Sequence, residues 1–293
     1  MGLAPPPAEG STPLPAGCFT DHTVIVTGGG TGIGKGIAIE FGRLGANVAI
    51  VSRKPAHLAA GVAAVEQAGA RAQSFACDIR DEHAVAAMFD QVSTALGAPG
   101  TLVNNAAGNF PVASESLSAN GWRAVTDIVM NGTFFCSTEF GRRRMAAGEG
   151  GSVINVGASY AWTAAPGFVH SGAAKAGVKA MTETLAIEWA PDGIRVNLVI
   201  PGLFPHDDET KFIKATPGRG GNEGANAPAQ RTGLVREMGW MVAFLASPWA
   251  SYVTGATITV DGGNWFRRHL MPPPFVPIRE LLGDPDARRD GQA

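Results

Sequence analysis

Thr23-Val24-Ile25-Val26-Thr27-Gly28-Gly29-Gly30-Thr31-Gly32-Ile33-Gly34-Lys35 is the stretch on which the reading of this chain turns. A β-branched run predicts a strand, the glycines that follow predict a tight turn, and the apolar period beyond predicts a helix starting near Lys35. A flexible loop would also be rich in glycine. The placement between strand and helix is what makes this run a candidate phosphate cradle, in which backbone N–H groups and the helix N-terminus approach a pyrophosphate. At the end of the next expected strand, an NAD-selective site would carry an acid for the adenosine ribose hydroxyl. This chain has Ser52-Arg53-Lys54 instead. Two cations and no acid suit a 2′-phosphate, so NADPH is the expected cofactor; the alternative is a solvated basic turn.

Outward from this unit the same rhythm repeats. Strands are expected over 23–27, 47–52, 71–77, 101–104, 152–157, 195–200 and 257–260, and helices over 32–44, 56–68, 82–96, 119–147, 171–190 and 234–246. Strands alternating with helical periods are the mark of βαβ units on a parallel sheet. The expected fold is α/β: a doubly wound Rossmann-type, seven-stranded parallel sheet with helices on both faces. No long linker divides residues 21–263, which are read as one domain. Residues 1–20, rich in Pro, Ala and Gly, are expected to be a disordered lead-in, and 264–293 a C-terminal extension whose Trp265 and Phe266 pack on the body or a neighbouring subunit. Residues 203–232 hold a polar Gly- and Asn-rich stretch after a strand's C-terminal end, read as a substrate lid or an inert insertion.

Composition narrows the function. The 293 residues are 45% apolar and 16% charged, enough to bury a large core without staples. Cys18, Cys77 and Cys136 are odd in number and lack ligand spacing, which argues for reduced thiols and a cytoplasmic setting. The six histidines show no metal-binding spacing, so no metal is expected, and His170 reads as a solvent-exposed loop residue. A formal charge of −2 without a long basic run argues against nucleic acid, and no run of 18 apolar residues could span a membrane.

Further motifs carry a resemblance. Asp78 follows the third expected strand, Asn104-Asn105-Ala106-Ala107-Gly108 the fourth, and Pro201-Gly202 the sixth, with Asn131 and Lys175 in the intervening helices. Together with the glycine loop, these make residues 22–263 resemble a short-chain dehydrogenase/reductase. The resemblance implies that Gly28, Gly30, Thr31, Gly32, Ile33 and Gly34 cradle the pyrophosphate, while Ser52, Arg53 and Lys54 meet the ribose phosphate. It places Asp78 and Ile79 at the adenine, and Asn105, Ala106, Ala107, Pro201 and Gly202 along the cofactor channel. Lys175 would hold the nicotinamide ribose, with Asn131 anchoring a water or helix carbonyl beside it. It also implies a homotetramer built on the helices around 126–147 and 171–190, which carry apolar residues on more than one face.

The usual Tyr-x-x-x-Lys of that family is broken here. Counting back from Lys175 puts Ser171 at the Tyr position and Ala158 at the position of the usual Ser. A serine is too short, and its hydroxyl too weakly acidic, to replace a phenol of pKa about 10. Of the two tyrosines, Tyr252 lies in a segment resembling a packing element, which leaves Tyr160, fifteen residues before Lys175. This displaced pattern, with Asn104-Asn105-Ala106-Ala107-Gly108-Asn109-Phe110, resembles the 2,4-dienoyl-CoA reductase branch of the family. The implied activity is reduction of an acyl-CoA thioester: Tyr160 and Asn109 bind the thioester carbonyl, Ser171 orients a water or proton donor, and Phe110 lines the substrate. Another enoyl or carbonyl reductase, and a silent cofactor-binding scaffold, are the alternatives.

Overall fold

Parallel strands are buried on both faces, so alternate side chains of each strand must enter two different apolar layers. In the computed structural model, which describes residues 2–206 and 227–266, they do so. β1 (Thr23–Thr27) and β2 (Asn47–Ser52) send Ile25, Ala49 and Val51 to one layer and Val24, Val26, Val48 and Ile50 to the other. The first layer is completed by α3 (Glu82–Leu96), α5 (Gly132–Ala147) and α7 (Val169–Trp189), through side chains such as Phe89, Phe140 and Val178. The second is completed by α1 (Gly32–Arg43), α2 (Pro55–Gln67) and α8 (Val235–Ala246), through Phe41, Val65 and Val242. Full burial of each such side chain is worth roughly 1.5–3 kcal/mol, which fixes strand register against a one-residue slip.

The remaining elements are β3 (Ala72–Ala76), β4 (Pro99–Asn104), α4 (Ala119–Thr126), β5 (Gly151–Val156), α6 (Tyr160–Thr163), β6 (Ile194–Pro201) and β7 (Thr257–Val260). The seven strands form one parallel sheet in the order β3-β2-β1-β4-β5-β6-β7. The order reverses between β1 and β4, and ligands bind outside the carboxyl ends of strands at such a switch point. All strands and helices expected from the sequence are present, with one refinement. The stretch expected as a single helix over 119–147 contains a π-helical turn, Asp127–Asn131, between α4 and α5. Such insertions recur at functional sites.

The opposite end of the sheet is tied by polar bonds. Thr23 donates to the Leu96 carbonyl and His22 pairs with Thr101 at 2.8 Å. Arg195 donates to the carbonyls of Leu245, Ala246, Ser247 and Val253, placing a cation on the C-terminus of α8 where the helix dipole favours one.

Two expectations need revision. The lead-in is not free of the body: Leu14 and Phe19 are buried in the second layer, where Phe19 packs edge-on against Phe41 at 5.1 Å, and Leu3 donates its N–H to Ala229. Composition registered its prolines and missed these two apolar anchors. His170 is wholly buried on the first turn of α7 and is no exposed loop residue, because Phe110 covers it from another loop. The expected lid over 203–232 falls largely at 207–226, outside the described residues; its stems meet where Gly233 donates to Leu203. Trp265 packs on Trp162, with ring centroids 4.6 Å apart, and residues 267–293 of the extension also lie outside the described residues. Among the described residues no helix is long and apolar enough to cross a membrane.

Candidate active site

The glycine loop is shaped by what presses on it. A Cβ on Gly34 would fall 2.3 Å from the Asn105 amide and 2.4 Å from the Gly28 carbonyl, and Gly28 itself has a positive φ of 66°. Asn105 is the clamp: its side chain donates to the carbonyls of Thr27 and Gly28, and its N–H donates to Thr27 Oγ1. The Ala106 N–H shares that hydroxyl, so the end of β4 fixes the loop at the switch point. Gly30 lies so close to α2 that a Cβ would be 2.0 Å from the His57 carbonyl. Thr31 caps α1 without a side-chain bond, Ile33 follows in its first turn, and that turn has no acid, which suits an anion at the helix N-terminus.

At the end of β2, Arg53 reaches the Asp78 carboxylate at 3.6 Å, while the Lys54 N–H is held by Ser52 Oγ. Arg80 closes on the same carboxylate at 2.5 Å. Its hydrogen bonds hold the Asp78 carboxyl well below the usual range, at about 2, against the opposing effect of partial burial. Two cations, Arg53 and Arg80, therefore meet on one ionised carboxylate, with Lys54 next to Arg53 in the chain. Sequence reasoning missed Arg80, whose place beside Arg53 depends on the pairing of β2 with β3. Ile79 is buried against Gly132, where a Cβ would come within 2.7 Å.

The catalytic candidates converge at the C-terminal ends of β4 and β5. Asn109 Oδ1 accepts the N–H of Phe110, which turns Nδ2 toward Tyr160 Oη at 3.2 Å. Tyr160 opens the short α6 and stacks on Phe168, and its Oη lies 3.1 Å from Ser171 Oγ. Burial pushes the phenol pKa up, and the hydrogen bonds from Ser171 and Asn109 only partly offset this, so Tyr160 is a neutral donor at neutral pH. Lys175, one turn beyond Ser171 on α7, donates to the Val156 carbonyl at the end of β5. Burial alone lowers its pKa to about 8. Ala158 brings no hydroxyl to this end of β5. Asn131, in the π-turn, donates to Asp127 at 3.0 Å. Pro201 ends β6, and Gly202 donates to Val260, beside Asp261, with which a Cβ would clash.

The family model described as enoyl-(acyl carrier protein) reductase matches residues 28–264. A crystal structure of a short chain dehydrogenase from Bacillus anthracis superimposes with a TM-score of 0.76 at 39% identity, covering 86% of this chain and 99% of that one. This chain belongs to the short-chain dehydrogenase/reductase family. Among its relatives, a probable 2,4-dienoyl-CoA reductase, (2E)-enoyl-CoA-producing, of Bacillus subtilis is 38% identical over 86% of this chain and 98% of its own length. A peroxisomal 2,4-dienoyl-CoA reductase, (3E)-enoyl-CoA-producing, of Pongo abelii is 36% identical over 90% and 93%.

Within this short-chain dehydrogenase/reductase, two further residues near the site carry no local sequence signal. The His206 ring lies on Gly32, 2.8 Å from where a Cβ would sit, over the start of α1. Trp162 lies two residues beyond Tyr160 and pairs with Trp265. Both contacts join segments far apart in the chain, which no local pattern records.

Proposed function

We propose that this chain is an NADPH-dependent reductase of 2,4-dienoyl-CoA thioesters, and the Asn109–Tyr160–Ser171 cluster carries the reading. Reducing a ketone places a full alkoxide beside the nicotinamide and calls for an acid there. The usual Tyr-x-x-x-Lys is absent. Reducing a conjugated dienoyl thioester sends the electron pair to a remote thioester oxygen, which calls for two hydrogen-bond donors at that oxygen. Tyr160 Oη and Asn109 Nδ2, 3.2 Å apart, can both turn their donors onto one oxygen. The names of the Bacillus subtilis and Pongo abelii relatives support the same substrate class.

The glycine cradle and the acid-free start of α1 fit a dinucleotide pyrophosphate, and Arg53, Lys54 and Arg80 favour a 2′-phosphate. Ile79 with Asp78 would flank the adenine. Asn105, Ala106, Ala107, Pro201 and Gly202 would line the channel, and Lys175 would hold the nicotinamide ribose. When bound, the nicotinamide supplies the hydride. Tyr160 and Asn109 then bind the developing enolate oxygen, and Ser171 shares the Tyr160 hydroxyl hydrogen and steadies the phenol. With hydride added at the δ carbon, a proton from water at the α carbon would leave a 3-enoyl product, and one at the γ carbon a 2-enoyl product. We place the protein in the cytoplasm as a homotetramer, a state that would cover exposed apolar side chains such as Phe134, Ile187 and Trp249.

The test is NADPH oxidation by the purified protein with a 2,4-dienoyl-CoA and with simple ketones. Fast turnover of the thioester and slow turnover of ketones is the expected result. Efficient ketone reduction that survives Tyr160→Phe would overturn the reading.

A further inference from the structure

Residues 2–9 have no part in the mechanism above, yet they are fastened at several points. Proline has no N–H, so the run Ala4-Pro5-Pro6-Pro7 has few donors for a sheet and is held through its carbonyls. Arginines do this. Arg231 Nε donates to the Ala4 carbonyl at 3.2 Å and Arg236 to the Pro7 carbonyl at 3.1 Å, while Glu9 pairs with Arg43 at the end of α1. Leu3 donates its N–H to the Ala229 carbonyl at 3.0 Å, and Gly2 lies so close that a Cβ would fall 2.3 Å from the same oxygen. The fixed φ angles of the prolines leave this segment little freedom to lose on docking.

Arg231 has a second hold. Its guanidinium meets both oxygens of Glu237 at 2.9 Å, and that carboxylate also accepts the Leu234 N–H at the start of α8. The turn just before Arg231 is constrained. Gln230 holds a φ of 56°, a left-handed conformation that persists in such a residue only where its surroundings impose it. The same turn meets the carboxyl rim of the sheet: Ala229 donates to the Gly262 carbonyl after β7, and Gly233 to the Leu203 carbonyl after β6. The Phe204 ring presses on Gly233, 2.3 Å from where a Cβ would sit. Two residues past Phe204, the His206 ring lies on Gly32, in the part of the cradle assigned above to the pyrophosphate.

We propose that Arg231 is a positioning residue, which clasps residues 2–9 onto the Ala229–Gln230 turn and so sets the segment after β6 over the cofactor cradle. This assignment rests on the glycine loop being the dinucleotide site. The pyrophosphate is common to NADPH and NADH, so loosening the clasp weakens both alike. A change at Arg53 would instead separate them.

Leu3→Pro tests the clasp without touching the arginine, since it deletes one N–H at the edge of a proline run. Arg231→Gln tests it from the other side, and Leu3→Pro serves if that variant does not fold. Each should raise the dissociation constants of NADPH and NADH, read by fluorescence titration, by one common factor of about 3–10, the range that a single net hydrogen bond spans. Arg231→Lys keeps the charge but cannot reach the Ala4 carbonyl and both Glu237 oxygens at once, so it should fall between the parent and Arg231→Gln. Amide hydrogen exchange gives a readout without cofactor: in Leu3→Pro the Ala229 and Gly233 amides should lose protection by a similar factor of about 3–10, while those of β1 and β4 keep theirs. Faster exchange throughout the sheet of Leu3→Pro would mark a merely structural role and count against the assignment. A parent protein that binds neither dinucleotide would defeat the cofactor reading while leaving the exchange at Ala229 and Gly233 to judge the clasp. Folded Leu3→Pro and Arg231→Gln proteins with the parent's affinities, or with Gly233 exchange unmoved, would overturn the assignment.

Discussion

Replacing Tyr160 by Phe removes one oxygen and leaves the ring to stack on Phe168. Oη receives a hydrogen bond from Asn109 at 3.2 Å and shares one with Ser171 at 3.1 Å. Both partners would lose it, but Asn109 is solvent-exposed and can turn to water, so only the buried Ser171 hydroxyl bears a cost, about 1 kcal/mol of stability. The effect on rate is of a different size. Removing one donor from a two-donor oxyanion site costs about 2.7–4 kcal/mol of barrier, or 10²–10³ in kcat. Lys175 is anchored on the Val156 carbonyl, independently of the phenol, so cofactor binding should change less than about threefold, or ~0.7 kcal/mol. The assay is single-turnover oxidation of NADPH with a dienoyl-CoA, beside cofactor titration by fluorescence. Asn109→Ala should give a loss of similar order, and the double variant should fall short of the product of the two, since the donors act as one unit. A loss in kcat below about fivefold for Tyr160→Phe, less than ~1 kcal/mol at 1.4 kcal/mol per tenfold, would refute the reasoning.

Arg53→Ala should weaken NADPH about 10–100-fold and NADH little, because a hydrogen bond to a charged group is worth about 1.5–3 kcal/mol and Arg80 still neutralises Asp78; equal losses for both cofactors would sink the argument. Cofactor affinity should fall as pH rises through about 8, where Lys175 gives up its proton in the free enzyme, and a dissociation constant flat to pH 9.5, about 1.5 units past that point, would contradict the ribose assignment. Ala164 holds a φ of 59° with ψ of 162°, a region that all but glycine avoid, so Ala164→Gly should raise the urea midpoint by the equivalent of about 1 kcal/mol; a lower midpoint would show the strain to be illusory. Sedimentation should show a tetramer, and a stable monomer at micromolar concentration would count against it.

The fold was legible because its determinants are local and repeated. β1, β2 and β7 fall where the β-branched runs place them, and α3 begins where Asp81 caps it through the N–H groups of His83 and Ala84. What escaped has physical reasons. The π-turn at Asp127–Asn131 inserts a residue into the helical spiral without altering its composition, and α6 is one turn long, too short to show a period. In the site, Tyr160, Ser171 and Asn109 could be named from the chain, and the structure brings these three within hydrogen-bond distance, while Lys175 bonds the Val156 carbonyl instead. Arg80 and His170 were not legible in the same way, because their environments are made by strand pairing and by Phe110 from a different loop.

The two ends of the sheet divide their duties. The carbonyl bonds of Arg195 and the pairing of His22 with Thr101 gather at the amino ends of the strands, while the glycine loop, Asn109, Tyr160 and Lys175 lie at the carboxyl ends. Substitutions in the loops beyond β4, β5 and β6 can therefore drift without touching the bonds that brace the other rim. Such a scaffold is open to innovation: selection for a new acyl group would act on one rim, and the ancestral frame would persist through many rounds of change in specificity.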